Sequence, residues 1–161
     1  MYMETSVVIR QIVRPDEETV NTLTGWMFHW WGQQEGYPWE AVQQYIRNSC
    51  QAERLPRTYG LYAAGQLAGM YQIRLDDLFV RPDLYPWLAN VYLPPEVRGR
   101  GYGRILLESA EAAARQLHGF DALYLYTTHQ GLYEKFGWQL VGETDTYLES
   151  ARIQRLYRLP L

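Results

Sequence analysis

The chain has 161 residues, with 15 basic and 18 acidic side chains for a net charge of −3, and it carries 6 Trp, 14 Tyr and 4 Phe. That length suits one globular domain, expected over residues 1–161, and the charge excludes a broad basic surface for nucleic acid or for an acidic membrane. The 47% hydrophobic content excludes disorder, and the single cysteine, Cys50, excludes an internal disulfide and any CxxC metal or redox site.

Residues 1–10 lack the layout of a secretion signal, a basic region followed by an apolar stretch. No apolar run approaches the roughly 18 residues of a membrane span, so the expected location is the cytoplasm. Residues 5–13 (TSVVIRQIV) are β-branched and half alternating, and predict a first strand. Acidic residues after Pro15 open a helix with Val20, Leu23 and Met27 at helical spacing, ending near Trp30. Pro38 opens a second helix with Val42, Tyr45, Ile46 and Cys50 on one face, which makes Cys50 a small core residue before it is a nucleophile.

Residues 58–64 and 67–75 predict two strands joined as a hairpin about Gly65-Gln66, followed by a loop over 76–86. Residues 87–93 (WLANVYL) form a strand stopped by Pro94-Pro95. Residues 102–117 predict the strongest helix, with Tyr102, Ile105, Leu106, Ala110, Ala113 and Leu117 in one stripe and Gly119 at its end. A strand over 121–127, a short helix over 130–136 stopped by Gly137, and strands over 138–143 and 153–159 complete the chain. The order predicts an α/β (α+β) domain with a mixed sheet flanked by helices.

The run Arg98-Gly99-Arg100-Gly101-Tyr102-Gly103-Arg104 lies between a strand and that helix. Closely spaced glycines let the backbone turn sharply and present several N–H groups to one ligand. The helix start adds unpaired amides and the positive end of its dipole, and three arginines add charge. This is an anion cradle suited to phosphate or pyrophosphate; the same glycines would also serve a turn that only caps the helix. A Walker loop is excluded because Lys135 is the only lysine, and the GxGxxG fingerprint fails at Arg104 and Leu106.

The run does fit [Q/R]-x-x-G-x-[G/A] through Arg98, Gly101 and Gly103. It resembles the acetyl-CoA loop of the GNAT superfamily of N-acetyltransferases. The resemblance extends from residues 88–93 (LANVYL) into the helix and resumes at 123–126 (LYLY) and at 133–138 (YEKFGW). It implies a splayed sheet, with acetyl-CoA as acyl donor, no metal, and direct attack of an amine on the thioester. It further implies that the backbone of Val91, Tyr92 and Leu93 meets the pantetheine. The pyrophosphate would sit on Arg98, Gly99, Arg100, Gly101, Tyr102, Gly103 and Arg104. Tyr133 stands where the family's general acid stands. No acid lies in the fourth strand, which has Asn90, so the base is open among Asp76, Asp77, Glu40 and water. His29 and His129 are weighed with them, and Thr127-Thr128-His129-Gln130 departs from the family's asparagine after the fifth strand.

Six aromatics fall within residues 26–39, more than one helix face can bury. Trp30, Trp31 and Tyr37 are the candidates for an acceptor pocket, with Asp77 for a protonated amine; core packing plus a homodimer contact is the competing reading. The expected function is acetyl transfer to a primary amine of a small molecule, amino acid or peptide. The alternative is a catalytically lapsed acyl-CoA sensor or partner-binding module. Nucleic-acid and membrane partners are not expected.

Overall fold

The computed structural model describes residues 6–161, so Thr5 and the first part of the leading segment lie outside the described residues. The chain divides into two compact units. The first runs through Gln72 and takes in Asn90–Leu106; the second comprises Ile73–Ala89 and Leu107–Leu161.

In the first unit, β1 (Val7–Ile12) pairs antiparallel with β2 (Arg57–Ala63), from Val7↔Ala63 to Ile12↔Thr58. Helix α1 (Glu17–Met27) begins at Asp16, whose carboxylate accepts the Thr19 N–H at 2.8 Å; this hydrogen bond holds the Asp16 carboxyl below its ordinary range. Helix α2 (Trp39–Ser49) starts one residue later than expected, because Pro38 takes the extended cap position. Val20, Leu23, Met27, Val42 and Ile46 are almost wholly buried together with Ile12, Cys50 and Met70. Full burial of each large apolar side chain stabilises by roughly 1.5–3 kcal/mol. Strand β3 (Gln66–Arg74) follows β2 across Ala64-Gly65, not Gly65-Gln66. Both turn residues have positive φ, 51° and 79°, the geometry of a two-residue hairpin turn.

The chain between α1 and α2 departs from sequence expectation. Phe28–Gly32 forms a π-helical turn, with the Gln33 N–H bonded to the Phe28 carbonyl. The wider turn shifts the phase of the helix by nearly one residue. Gly32 becomes buried and Trp31 half-buried, whereas Trp30 turns outward and is 44% exposed.

In the second unit the loop over 76–86 carries no regular structure, as expected, and buries Leu78 with Trp87 and Leu156. Strand β4 (Trp87–Tyr92) is shared by the two units. Helix α3 (Tyr102–Arg115), divided between the units after Leu106, buries Tyr102, Leu106, Leu107, Ala110 and Ala114; Ile105, Ala113 and Leu117 are only half-buried, a small rotation from the predicted stripe. Strand β5 (Ala122–Thr127) runs parallel to β4 at Trp87↔Tyr124. The predicted helix over 130–136 is reduced to one 3₁₀ turn, Tyr133–Phe136, because Gly131 adopts φ 77°. Strands β6 (Gln139–Asp145) and β7 (Ile153–Pro160) pair antiparallel, and β7 pairs antiparallel with β5.

The strand order is β1-β2-β3-β4-β5-β7-β6. Among the described residues the result is an open mixed sheet flanked by three α-helices, the class expected from the element order. No helix among the described residues is long and apolar enough to cross a membrane.

Candidate functional site

The glycine run joins β4 to α3. Pro95–Val97 makes a 3₁₀ turn, and Gly99 and Gly101 then adopt φ 80° and 81° with open space where a side chain would stand. A β-carbon at either position would be strained. The loop therefore presents backbone to solvent at the start of a 14-residue helix. Arg98, Gly99, Arg100, Gly101 and Arg104 are exposed, Gly103 is half-buried and Tyr102 is buried. Arg98 is not a free clamp: its Nε donates to the Leu93 carbonyl at 2.8 Å and its guanidinium lies 5.9 Å over the Tyr92 ring. Arg100 reaches the Glu96 carbonyl at 3.4 Å. Each arginine braces the loop while carrying the charge that an anion would meet.

Val91, Tyr92 and Leu93 are half-buried at the end of β4. Gly69 of β3 permits their close approach, since a β-carbon there would stand 2.7 Å from Leu93 Cδ2 and 3.2 Å from the Tyr92 carbonyl oxygen. Tyr92 links the loop to the aromatic segment. Its ring lies 5.5 Å from Trp26 and 5.6 Å from Trp30, so within this unit Trp30, Tyr92 and Arg98 form one continuous group.

Trp31 and Tyr37 form a second aromatic group. Their rings meet edge to face at 6.2 Å, and Trp31 also meets Tyr45 at 5.3 Å. Tyr37 is 50% exposed. Behind them runs a polar network that sequence reading missed. The Trp31 indole N–H donates to Asn90 Oδ1 at 3.1 Å, and Asn90 Nδ2 donates to Gln72 Oε1 at 2.8 Å and to the Tyr45 hydroxyl oxygen at 3.0 Å. Gln72 Nε2 donates to Thr58 Oγ1 at 3.1 Å, and the Thr58 hydroxyl donates to the Ser49 carbonyl at 2.7 Å. Gln72 and Thr58 are fully buried. Asn90 sits inside β4 at φ 52°, a left-handed conformation that costs most residues about 1–2 kcal/mol and asparagine less. The one sequence cue was a buried-strand pattern interrupted by glutamine at residue 72.

Tyr133 and Asp77 belong to the second unit. Tyr133 is 8% exposed and packs on Trp138 and Tyr157 at 6.1 and 5.8 Å. Burial, with Tyr157 beside it, pushes its phenol up to about 12, so the group stays protonated. Its hydroxyl has no hydrogen-bond partner among the described residues, whereas the Tyr157 hydroxyl donates to Glu134 at 2.7 Å. Neighbouring Lys135 is exposed. Asp77 is half-buried, and its carbonyl accepts the Tyr126 hydroxyl at 3.3 Å.

The other groups separate clearly. Cys50 is buried, and that burial pushes its thiol up, which makes it an inert core residue. Asp76, Glu40, His29 and His129 are exposed. Glu35, which sequence reading passed over, falls between Trp31 and Tyr37 in the chain and is also exposed, although partial desolvation raises its carboxyl. No group of three His, Cys, Asp or Glu among the described residues could hold a metal ion.

The family model described as the Acetyltransferase (GNAT) family matches residues 24–138. Among solved structures, the chain is similar to an IAA acetyltransferase from Bacillus cereus ATCC 14579, with 18% identity, 97% of this chain and 100% of that chain covered, and a TM-score of 0.66. It is similar to Arabidopsis thaliana NAA60 in complex with a bisubstrate analogue, at 10% identity, 97% and 99% coverage, and a TM-score of 0.73. It is also similar to a GNAT family acetyltransferase from Elizabethkingia anophelis with acetyl-CoA bound, at 14% identity, 96% and 98% coverage, and a TM-score of 0.67. At these identities the likeness shows the fold. Comparison with curated proteins gave no match.

Proposed function

Because the chain belongs to the GNAT family of acetyltransferases, whose members move an acyl group from acetyl-CoA, we propose that it acetylates a primary amine of a small molecule, amino acid or peptide. The amine attacks directly, with both substrates bound. The observation that carries the reading is the loop after β4, where two left-handed glycines and a helix start offer backbone amides to an anion. That cradle fits a pyrophosphate: it is open at Gly99 and Gly101 and edged by Arg98, Arg100 and Arg104.

Acetyl-CoA, when bound, supplies the activated thioester. The backbone N–H groups at the end of β4, over Val91, Tyr92 and Leu93, serve the oxyanion and the pantetheine amides. Tyr133 donates a hydrogen bond, and then its proton, to the departing sulfur. At about 12 its phenol is a weak acid toward a thiolate of ordinary basicity near 8.5. Transfer is therefore uphill even to a full thiolate, so Tyr133 stabilises the sulfur mainly through its hydrogen bond as negative charge builds, and the proton's move is completed only as solvent reprotonates the phenolate. Trp30, Trp31 and Tyr37 supply the apolar contacts of the acceptor site, and Asp77 receives its positive charge before attack. The attacking nitrogen loses its proton through water to a carboxylate, for which Glu35 stands within the aromatic segment.

The test is to mix the protein with acetyl-CoA and a panel of aliphatic, aromatic and peptide amines and to follow free thiol. Turnover on an amine supports the reading. Micromolar acetyl-CoA binding by calorimetry with no turnover on any amine selects the acyl-CoA sensor instead.

A further inference from the structure

Asn90 holds a left-handed conformation in the interior of a strand, and its side chain uses both ends to stay there. Its oxygen accepts from Trp31, and its NH₂ group donates to Gln72 and Tyr45. Gln72 is itself fixed on fully buried Thr58, so the tether is anchored in β2 and β3 as well as in the π-helical turn and α2. A half-buried network anchored on two fully buried members favours one arrangement, because a change at one member leaves a buried partner unsatisfied. A left-handed residue within a strand interrupts the ladder and redirects the backbone groups that follow. Here those groups are the amides of Val91 and Tyr92.

We propose that Trp31 and Asn90 are a positioning pair: the Trp31 indole holds the Asn90 side chain, and Asn90 holds β4 in the left-handed turn that aims the Val91 and Tyr92 amides. The proposal rests on the acetyl-transfer reading above. Trp31 acts through Asn90. Its ring meets half-exposed Tyr37 on one side and its N–H meets β4 on the other, so one indole joins the acceptor shelf to the reacting strand. The π-helical turn is what makes this reach, because it brings Trp31 inward and leaves Trp30 outside.

Three variants test the pair: Asn90→Ala, Asn90→Gly and Trp31→Phe. Each is assayed for kcat, for KM of the best amine, for acetyl-CoA affinity by calorimetry, and for hydrogen exchange of the Val91 and Tyr92 amides in the free protein. Asn90→Ala is expected to lower kcat about 20-fold or more while acetyl-CoA affinity changes less than about threefold. Asn90→Gly loses the same hydrogen bonds but takes a positive φ freely, so it should recover about fivefold of that loss. Trp31→Phe keeps an aromatic ring, though a smaller one, and removes the donor; kcat should fall about fivefold and exchange at Val91 and Tyr92 should quicken by a similar factor. Equal kcat in Asn90→Ala and Asn90→Gly overturns the role of the left-handed turn. Unchanged exchange in Trp31→Phe overturns the role of Trp31. If the wild-type protein turns over no amine, the functional reading fails, and the exchange measurement alone still decides the pair.

Discussion

Replacing Gly69 by alanine probes the packing that brings β4 to its place. The new β-carbon would stand 2.7 Å from Leu93 Cδ2, about 0.7 Å inside the 3.4 Å where ordinary contact begins, and 3.2 Å from the Tyr92 carbonyl oxygen. The leucine methyl has rotamers to escape to; the carbonyl belongs to the strand and moves only with it. Overpacking of this kind costs about 1–3 kcal/mol, offset by the roughly 0.5–1 kcal/mol that alanine gains over glycine within a strand. A net loss of about 1–2 kcal/mol should lower the urea midpoint, and the shift of β4 should weaken acetyl-CoA binding about threefold. Adding Leu93→Ala removes the shorter contact but leaves the carbonyl contact. The pair should therefore couple by about 0.5 kcal/mol or more without restoring cofactor affinity. A Gly69→Ala protein with a midpoint at or above wild type would mean that this contact does not hold β4 in place.

Tyr133→Phe should lower kcat about 100-fold at unchanged acetyl-CoA affinity; a change within twofold removes the proton-donor role. Its thermal midpoint should stay at or slightly above wild type, because the lost hydroxyl has no partner among the described residues, and calorimetric scanning reads this directly. With the phenol at about 12, kcat should show no falling limb from Tyr133 between pH 7 and 10; a limb in that range that vanishes in the phenylalanine variant contradicts the assignment. Asp16 caps α1 with a carboxyl lowered by the Thr19 hydrogen bond. Its folded value lies below its unfolded one, so its stabilisation is present above the unfolded value near 3.9 and is lost as pH falls through the folded value. Asp16→Ala should be less stable than wild type at pH 7, and the difference should shrink toward pH 2 in urea unfolding.

Much of the second half was legible because its signals are local. Gly99 and Gly101 need positive φ, and a strand ending at two prolines before an apolar-striped helix leaves little choice about where the loop sits. Gly131 shows the limit: its left-handed φ cut the expected helix over 130–136 to a single turn, although Leu132, Tyr133 and Phe136 fit the helical spacing. The first half hid its organisation for a different reason. A π-helical turn adds nearly one residue to a repeat read at 3.6, so the exposed and inward tryptophans at 30 and 31 were not separable by periodicity. The network on Asn90 was hidden further, because residues 31, 45, 58, 72 and 90 meet only after five elements have packed.

The exposed Lys135 beside Tyr133 has a consequence for the protein's own chemistry. Thioesters acylate exposed lysine amines without help, and a protein that spends its life beside acetyl-CoA is exposed to that reaction. This chain offers one ε-amino group in 161 residues; its other basic side chains are guanidinium and imidazole. Guanidinium stays protonated in water and is no nucleophile at neutral pH. In the proposed cradle, arginine at the loop would therefore supply positive charge in a form that an acyl donor does not modify.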